Sequence, residues 1–558
     1  MQTQRTILWV IFSLSLLLLW NAWQQHNGRA GMFSAPKVES GEQIAAKPGS
    51  SATPADGVPS AGDLPAVGSS PAPASSAVAG SQLPSASAAG ASGEVLTLSN
   101  EVLKVSINTL GGVLERGELT QHRETNGNGN MRLFANEPGN FYVAQVGVIN
   151  APGSTSFPTH ASRFEVVGTP TPASVTLAAE DGGIRVERTY TLQPGSYVVS
   201  VNEKISNVGA QPLSPVIYRQ MTRDDHKPEG DTFFYSTFTG PVMYTEAEKF
   251  QKIDFSDISE GKAKHASTAN DGWAGILQHY FVAVWIPRPD VARVFYTQKS
   301  GPGLISVGIK EPLGELPPGA SNESSAKVFL GPQDQNLLAS LAPGLELTVD
   351  YGFLTVIAKP IHWLLDKLHG IVGNWGWAIV LLTLIIKTIF FPLQAASYKS
   401  MARMKAVGPR LTALRERYGD DRAKLNQAMM ELYKNEKINP LGGCLPIVVQ
   451  IPVFISLYWV LLASVEMRYA PWVLWIQDLA SPDPYYILPA LMAVSMFVQV
   501  RLNPTPPDPV QAKIMMFMPL FFSVMFFFFP SGLVLYWLVN NLYSIAQQWV
   551  ITRKIVKN

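Results

Sequence analysis

"AIVLLTLIIKTIFFPL", residues 378–393, decides how the chain is read: it is an almost unbroken apolar run with one ammonium group, Lys387, set inside it. A run of this kind reads as a membrane-spanning helix. A cation deep in a span costs about 2.5–3.5 kcal/mol on insertion scales, so it either serves a function there or escapes to the interface. Lys387 lies six residues before Leu393, about 9 Å from that end of a helix rising 1.5 Å per residue, which a snorkelling lysine can cover. The residues alone leave both readings open.

The surrounding chain supports a membrane setting. Its 558 residues are 47% hydrophobic and 15% charged, with a mean hydropathy of +0.10, too apolar for an average soluble protein and too mixed for a simple bundle. A membrane protein with a sizeable soluble domain is expected. The net charge of +1 gives no global basic signal, so any lipid or nucleic-acid preference must come from local patches. The single cysteine, Cys444, excludes an intrachain disulfide, leaving a large exported domain to its own core. Eight histidines show no HExxH motif or close His/Cys pairing, so no metal site is expected. No phosphate-binding loop or nucleophile elbow is visible, so neither a cofactor nor catalytic chemistry is expected and the chain reads as a non-enzyme.

Along the chain the composition shifts several times. Residues 1–27 hold Arg5 and an apolar run over 7–20 without a small-x-small cleavage site, which reads as an uncleaved signal anchor with Arg5 on the cytoplasmic side. Residues 28–93, rich in Ala, Ser, Pro and Gly, cannot offset their ordering entropy and read as a disordered tether. Over 94–350 the period is two, as in Leu103, Val105 and Ile107 or Tyr197, Val199 and Val201, and Gly/Pro turns punctuate it. That predicts an all-β sandwich of antiparallel strands. Over 351–373 the period becomes helical: Ile357, Ile361, Leu364, Leu365, Leu368 and Val372 share a face opposite Lys359, His362, Asp366 and Lys367. This predicts an amphipathic helix in the membrane interface, with an ordinary packing helix as the alternative.

Five apolar segments follow, near 375–393, 444–464, 485–500, 514–529 and 533–551. With the N-terminal anchor they predict a polytopic α-helical membrane protein of six spans, divided as a second span at 374–393, a cytoplasmic helical hairpin at 394–440, four further spans over 441–551 and a basic tail at 552–558. Between 394 and 440 ten Lys or Arg face five Asp or Glu, which marks that loop as cytoplasmic. The loop at 465–484 has only Arg468 against Glu466, Asp478 and Asp483, with Trp472 and Trp475 as interfacial anchors, and faces outward. Both termini are then cytoplasmic and the β domain periplasmic. Within the hairpin, Met401, Met404, Val407, Leu411 and Leu414 form a stripe that resumes at Leu425, Met429 and Leu432 after "YGDD". Asp420 or Asp421 is suited to cap the second helix.

"GNWGWAIVLLTLIIKTIFFPL", the hairpin, "NPLGGCLPIVVQIPVF" and "FPSGLVLYW", in that order, resemble the YidC/Oxa/Albino family of membrane protein insertases, in the Gram-negative form with a tether and a large periplasmic domain. The resemblance implies a bacterial inner-membrane protein whose spans enclose a hydrophilic groove open to cytoplasm and lipid. Lys387 matches the groove cation, where arginine is commoner; lysine keeps the charge without the bidentate fork. By the same matching Thr383 lies one turn away, Gln450 adds a dipole from the next span, and Trp537 stands where a tyrosine often faces the groove. Cys444, Pro446 and Pro519 fall on spans that contact substrates. The implied partners are nascent membrane proteins, the Sec translocon and its accessory subunits, ribosome or signal-recognition machinery at the hairpin, and membrane lipids. Two other classes stay open: a secondary transporter, which would show paired broken helices or an internal repeat, and a periplasmic carbohydrate-binding module on a membrane anchor.

Overall fold

The computed structural model of the chain describes residues 93–124, 129–150, 157–226, 237–419, 421–436, 445–502 and 509–555. The expected N-terminal span, all of the tether but Gly93, Cys444 and Asp420 lie outside the described residues.

The period-two region folds as two antiparallel sheets of nine strands each among the described residues. The first runs, edge to edge, Val95–Ser99, Leu103–Asn108, Val113–Arg123, Asn130–Glu137, Asn140–Asn150, Pro215–Asp224, Leu304–Pro312, Arg293–Gly301 and Thr268–Ala269. The second runs Lys249–Lys252, Gly240–Thr245, Trp273–Gln278, Phe281–Pro287, Ser321–Pro332, Val198–Asn207, Ile184–Leu192, Ser174–Asp181 and Glu165–Val167. Alternation in sequence becomes alternation in burial: Ile184, Val186, Tyr190 and Leu192 point inward from one strand, and Leu103, Val105, Ile107, Val199 and Val201 meet them in one core, as a pleated strand with a single buried face requires.

Polar groups also enter this core. Glu203 accepts from Arg188 Nε at 2.8 Å and from Arg219 Nη2 at 2.7 Å, and Arg219 Nη1 donates to Glu311 Oε2 at 2.5 Å. Arg188 and Glu203 belong to the second sheet, Arg219 and Glu311 to the first, so the ion pairs tie the two sheets together. Short helices α1 (Phe255–Ser259) and α2 (Gln335–Leu341) decorate the sandwich.

The rest of the described chain is helical: α3 (Thr355–Val372), α4 (Trp375–Ile389), α5 (Phe391–Ala406), α6 (Gly408–Tyr418), α7 (Arg422–Asn435), α8 (Leu445–Ala463), α9 (Ile487–Leu502), α10 (Pro509–Phe526) and α11 (Ser531–Ile555). The apolar run quoted above is not one straight helix. It breaks at Phe390 and turns by 64° between Trp375–Ile389 and Phe391–Met401, because Pro392 in the first turn of α5 has no N–H to give and its ring disfavours a helical residue before it. Among the described residues no single helix is long and apolar enough to cross a membrane, but this bent pair passes together.

Helix α3 buries Ala358, Ile361, Leu365 and Leu368 against α4 and α8, so its apolar face packs inside the protein. Its outer face still presents Val356, Trp363 and Ile371 to the surroundings, beside Lys359 and Lys367. Helices α6 and α7 pair as a hairpin: Val407 and Leu411 are buried with Met404, Met429 and Leu432 against them, and Asp421 caps α7 by accepting from Lys424 N at 3.1 Å.

Candidate functional site

Lys387 lies in the last turn of α4, where unpaired helix-end carbonyls carry partial negative charge and favour a cation. Its side chain does not snorkel outward; the residue is only 2% exposed. The ammonium donates to Ser544 Oγ of α11 at 2.8 Å and, at 3.5 Å, to Gln450 Oε1 of α8. Both acceptors are neutral, so the charge is offset by dipoles alone.

The break after α4 decides what else reaches this point. By turning the chain, it brings Gln394 of α5 to the same amide, Nε2 donating to Gln450 Oε1 at 3.2 Å. Gln450 Nε2 in turn donates to Asn540 Oδ1 at 2.7 Å, and Ser544 Oγ to the Asn540 carbonyl at 2.8 Å. Tyr398 OH donates to the Ser544 carbonyl at 3.5 Å. Helices α4, α5, α8 and α11 therefore converge on one polar network inside apolar surroundings, with Ile386, Phe390, Leu393 and Val449 lining a small pocket against Lys387, Gln394 and Gln450.

Of the residues singled out from sequence, Lys387 and Gln450 meet directly. Thr383 sits one turn above Lys387, 1% exposed, and is satisfied within its own helix, donating to the Ile379 carbonyl at 2.7 Å. Trp537 stands seven residues before Ser544 on α11 and packs by its ring on Phe454, Phe526 and Phe529, at centroid distances of 5.0, 4.4 and 5.6 Å. It forms part of an aromatic cluster about one turn above Asn540, the upper end of the network. Pro446 and Pro519 belong to α8 and α10; their side chains, like Cys444, are outside the described ones. Gln394, Asn540 and Ser544 are partners that the resemblance does not single out. For Asn540 and Ser544 the signal in the sequence is "LVNNLYSIAQQWV", residues 538–550, where polar groups recur at helical spacing within an apolar segment.

The opposite end of the helices is closed by residues 465–484. Asn374 Nδ2, at the start of α4, donates to the Pro471 carbonyl at 2.9 Å, and Gly376 lies so close under Trp472 that a Cβ would stand 2.2 Å from its ring. Gly532 N donates to the Leu479 carbonyl at 2.9 Å and Ser531 N to that of Ser481 at 2.8 Å, pinning the start of α11. Asp483, 1% exposed, accepts from Trp475 Nε1, Tyr485 N and Leu488 N at 3.0, 3.0 and 2.7 Å and so caps α9. Trp472 and Trp475, expected as interfacial anchors, are built into this closure.

The family model described as YidC periplasmic domain matches residues 95–364, and that described as 60Kd inner membrane protein matches residues 367–558. A protein of Bordetella avium named membrane protein insertase YidC is 54% identical over 563 residues, 100% of this chain and 99% of the relative. One of the same name from Cupriavidus necator is 52% identical over 561 residues, 100% of this chain and 98% of the relative. A crystal structure of an active YidC insertase with its first transmembrane domain resolved overlaps 82% of this chain and 92% of its own at 18% identity and a TM-score of 0.38.

Proposed function

The chain belongs to the YidC family of membrane protein insertases, a non-enzymatic family of the bacterial inner membrane with a periplasmic β domain, and from that we propose that it inserts nascent membrane proteins through a polar groove centred on Lys387. One observation carries the reading: an ammonium that is 2% exposed, among apolar helices, and held by two uncharged side chains. A buried cation without a fixed counter-ion attracts acidic groups that come within reach. The polar side chains of α5, α8 and α11 shorten the apolar distance that a substrate's polar flank must cross. The substrate's apolar span then leaves sideways into lipid, where burial supplies the driving force at about 25 cal/mol per Å².

The remaining parts fit around this. Residues 465–484 seal the outward end, so the groove opens toward the cytoplasm. Charge asymmetry supports six spans with both termini cytoplasmic and the β domain periplasmic. The basic α6–α7 hairpin receives the ribosome or signal-recognition machinery, and the chain works alone or with the Sec translocon and its accessory subunits, in contact with membrane lipids. Thr383 and Gln450 belong to the groove, Trp537 closes it above the network, and the spans carrying Cys444, Pro446 and Pro519 touch substrate.

The test is depletion of the native protein in cells, complemented with wild type, Lys387→Arg, Lys387→Ala or Lys387→Glu, scoring insertion of a small substrate with an acidic translocated tail. Arg is expected to work while Ala and especially Glu fail at equal expression. Insertion by Lys387→Ala at the wild-type level would reduce Lys387 to a structural lysine.

A further inference from the structure

Among the described side chains of α11 the polar stripe is satisfied residue by residue, with one exception. Asn540 meets Gln450, Asn541 Nδ2 donates to Ser495 Oγ at 3.0 Å, Ser544 meets Lys387, and Gln548 accepts from Gln499 Nε2 at 2.7 Å while donating to the Leu502 carbonyl at 3.2 Å. Gln547 is 5% exposed, yet neither its Nε2 nor its Oε1 has a hydrogen-bond partner. It lies seven residues from Asn540 and three from Ser544, on the helical line that faces the network and one turn nearer the cytoplasmic end. We infer that Gln547 is a docking point for the main chain of the entering polypeptide: its buried side-chain amide pairs with a peptide group of the substrate's polar flank, one turn before that flank reaches Lys387.

The chemistry left open specifies this partner. An unpaired donor beside an unpaired acceptor on one planar amide complements the N–H and C=O of a peptide group, whereas an anion would use only the donor and a cation only the acceptor. Peptide recognition is independent of side chain, which suits a groove that handles many sequences, while Lys387 supplies the preference for acidic flanks. Buried amides left unpaired destabilise the resting protein, so the residue is retained at a cost that an apolar side chain of similar size, such as Met, would relieve.

The inference rests on the groove reading, and the experiment separates the two. The full chain is reconstituted in liposomes as wild type, Gln547→Met and Lys387→Ala, and given a single-span peptide whose translocated flank holds serines, asparagines and one aspartate. Gln547→Met is expected to unfold at a higher temperature than wild type and to insert this peptide about five- to tenfold more slowly, the scale of one lost hydrogen bond. Wild-type insertion by Gln547→Met together with impaired Lys387→Ala overturns the role of Gln547 and leaves the groove reading standing. Wild-type insertion by Lys387→Ala overturns the groove reading itself. Should Gln547→Met fail to fold, a photo-crosslinking amino acid at position 547 decides: capture of the peptide's polar flank supports the inference, and capture of only its apolar span, or of nothing, overturns it.

Discussion

Arg468 reaches back 345 residues to Arg123: its Nη2 donates to the Arg123 carbonyl at 3.0 Å, joining the segment that closes the helices to the β sandwich. The guanidinium lies over the rings of Tyr280, Phe281 and Tyr469, at 5.3, 5.2 and 5.7 Å. Tyr469 OH donates to the Glu124 carbonyl, and His279 Nε2 donates to the Leu462 carbonyl at the end of α8 at 3.1 Å. Because the same segment pins the starts of α4, α9 and α11, the β domain and the groove helices share one joint.

Arg468→Ala is expected to loosen that joint by about 2–4 kcal/mol, the combined scale of desolvated cation–π stacking and a charged hydrogen bond. Faster protease cleavage between the β domain and α3 in the full-length protein checks this. Arg468→Lys should recover only part, because an ammonium keeps the charge without the planar stacking face.

The joint should also respond to pH, in a direction set by three groups that become exposed when it opens. Burial, with the Arg468 charge nearby, holds His279 and His122 down to about 4 from an ordinary 6.5. The open form therefore binds more protons between those values, and docking is complete above about 6.5 and lost as pH falls toward 4. Burial pushes Glu466 the other way, up to about 7 from 4.5, so its contribution is full below about 4.5 and lost as pH rises through 7. Two histidines outweigh one carboxyl on the acid side, which places greatest resistance to cleavage at about pH 6–7. His279→Gln should flatten the acid limb; an unchanged acid limb would remove His279 from the account.

How far the sequence discloses these features depends on how local their cause is. The strand Ile184–Leu192 is legible because alternation is a local consequence of the pleat, but the same alternation hides Arg188, a charge occupying an inward position whose partner Glu203 lies on another strand. Lys387 stands out as a charge in an apolar run, and the chain break after it is written in Pro392. Its neutral partners are less legible, since Gln450 and Ser544 come from helices 63 and 157 residues away, and nothing in a single sequence says which polar residue of a span faces which. The closure by residues 465–484 was legible only as an outward loop; that Gly376 is there to admit Trp472 is a packing fact.

Glu203 gives a prediction for the sandwich. It is fully buried between Arg188 and Arg219, so Glu203→Ala leaves two guanidinium groups facing each other without their shared anion. A loss of about 3–5 kcal/mol is expected, the scale for breaking a buried ion pair from one side, read as a lowered midpoint in denaturant unfolding followed by tryptophan fluorescence. The structural role is distinct from insertion: where the variant still folds at low temperature, the groove should remain active.

Gly376 gives one for the closure. A methyl group there meets the Trp472 indole at 2.2 Å, and that ring is already packed edge-on against Trp377 at 5.6 Å. Gly376→Ala should cost about 1–3 kcal/mol by overpacking, with the thermal midpoint falling; in a Trp472→Gly background it should cost little, since the Cβ, Cγ and Cδ1 atoms that the methyl meets at 2.6, 2.4 and 2.2 Å are gone. Additive losses in the pair would mean that the two residues do not oppose each other.

Ser544 and Lys387 give the sharpest case, because stability and function should move apart. Ser544→Ala removes the 2.8 Å acceptor of a buried ammonium and should destabilise the protein by about 1–3 kcal/mol, the cost of leaving a charged donor short of a partner. Lys387→Met removes the charge and keeps the volume, so the protein should become as stable as wild type or more so, as happens when buried charges give way to apolar side chains, while insertion of acidic-tailed substrates falls. Once Lys387 is Met, adding Ser544→Ala should cost little, because no ammonium is left to disappoint. The thermal midpoints of the two single variants and the double variant form a complete cycle, and a zero coupling energy would show that the Lys387–Ser544 contact does not organise the groove.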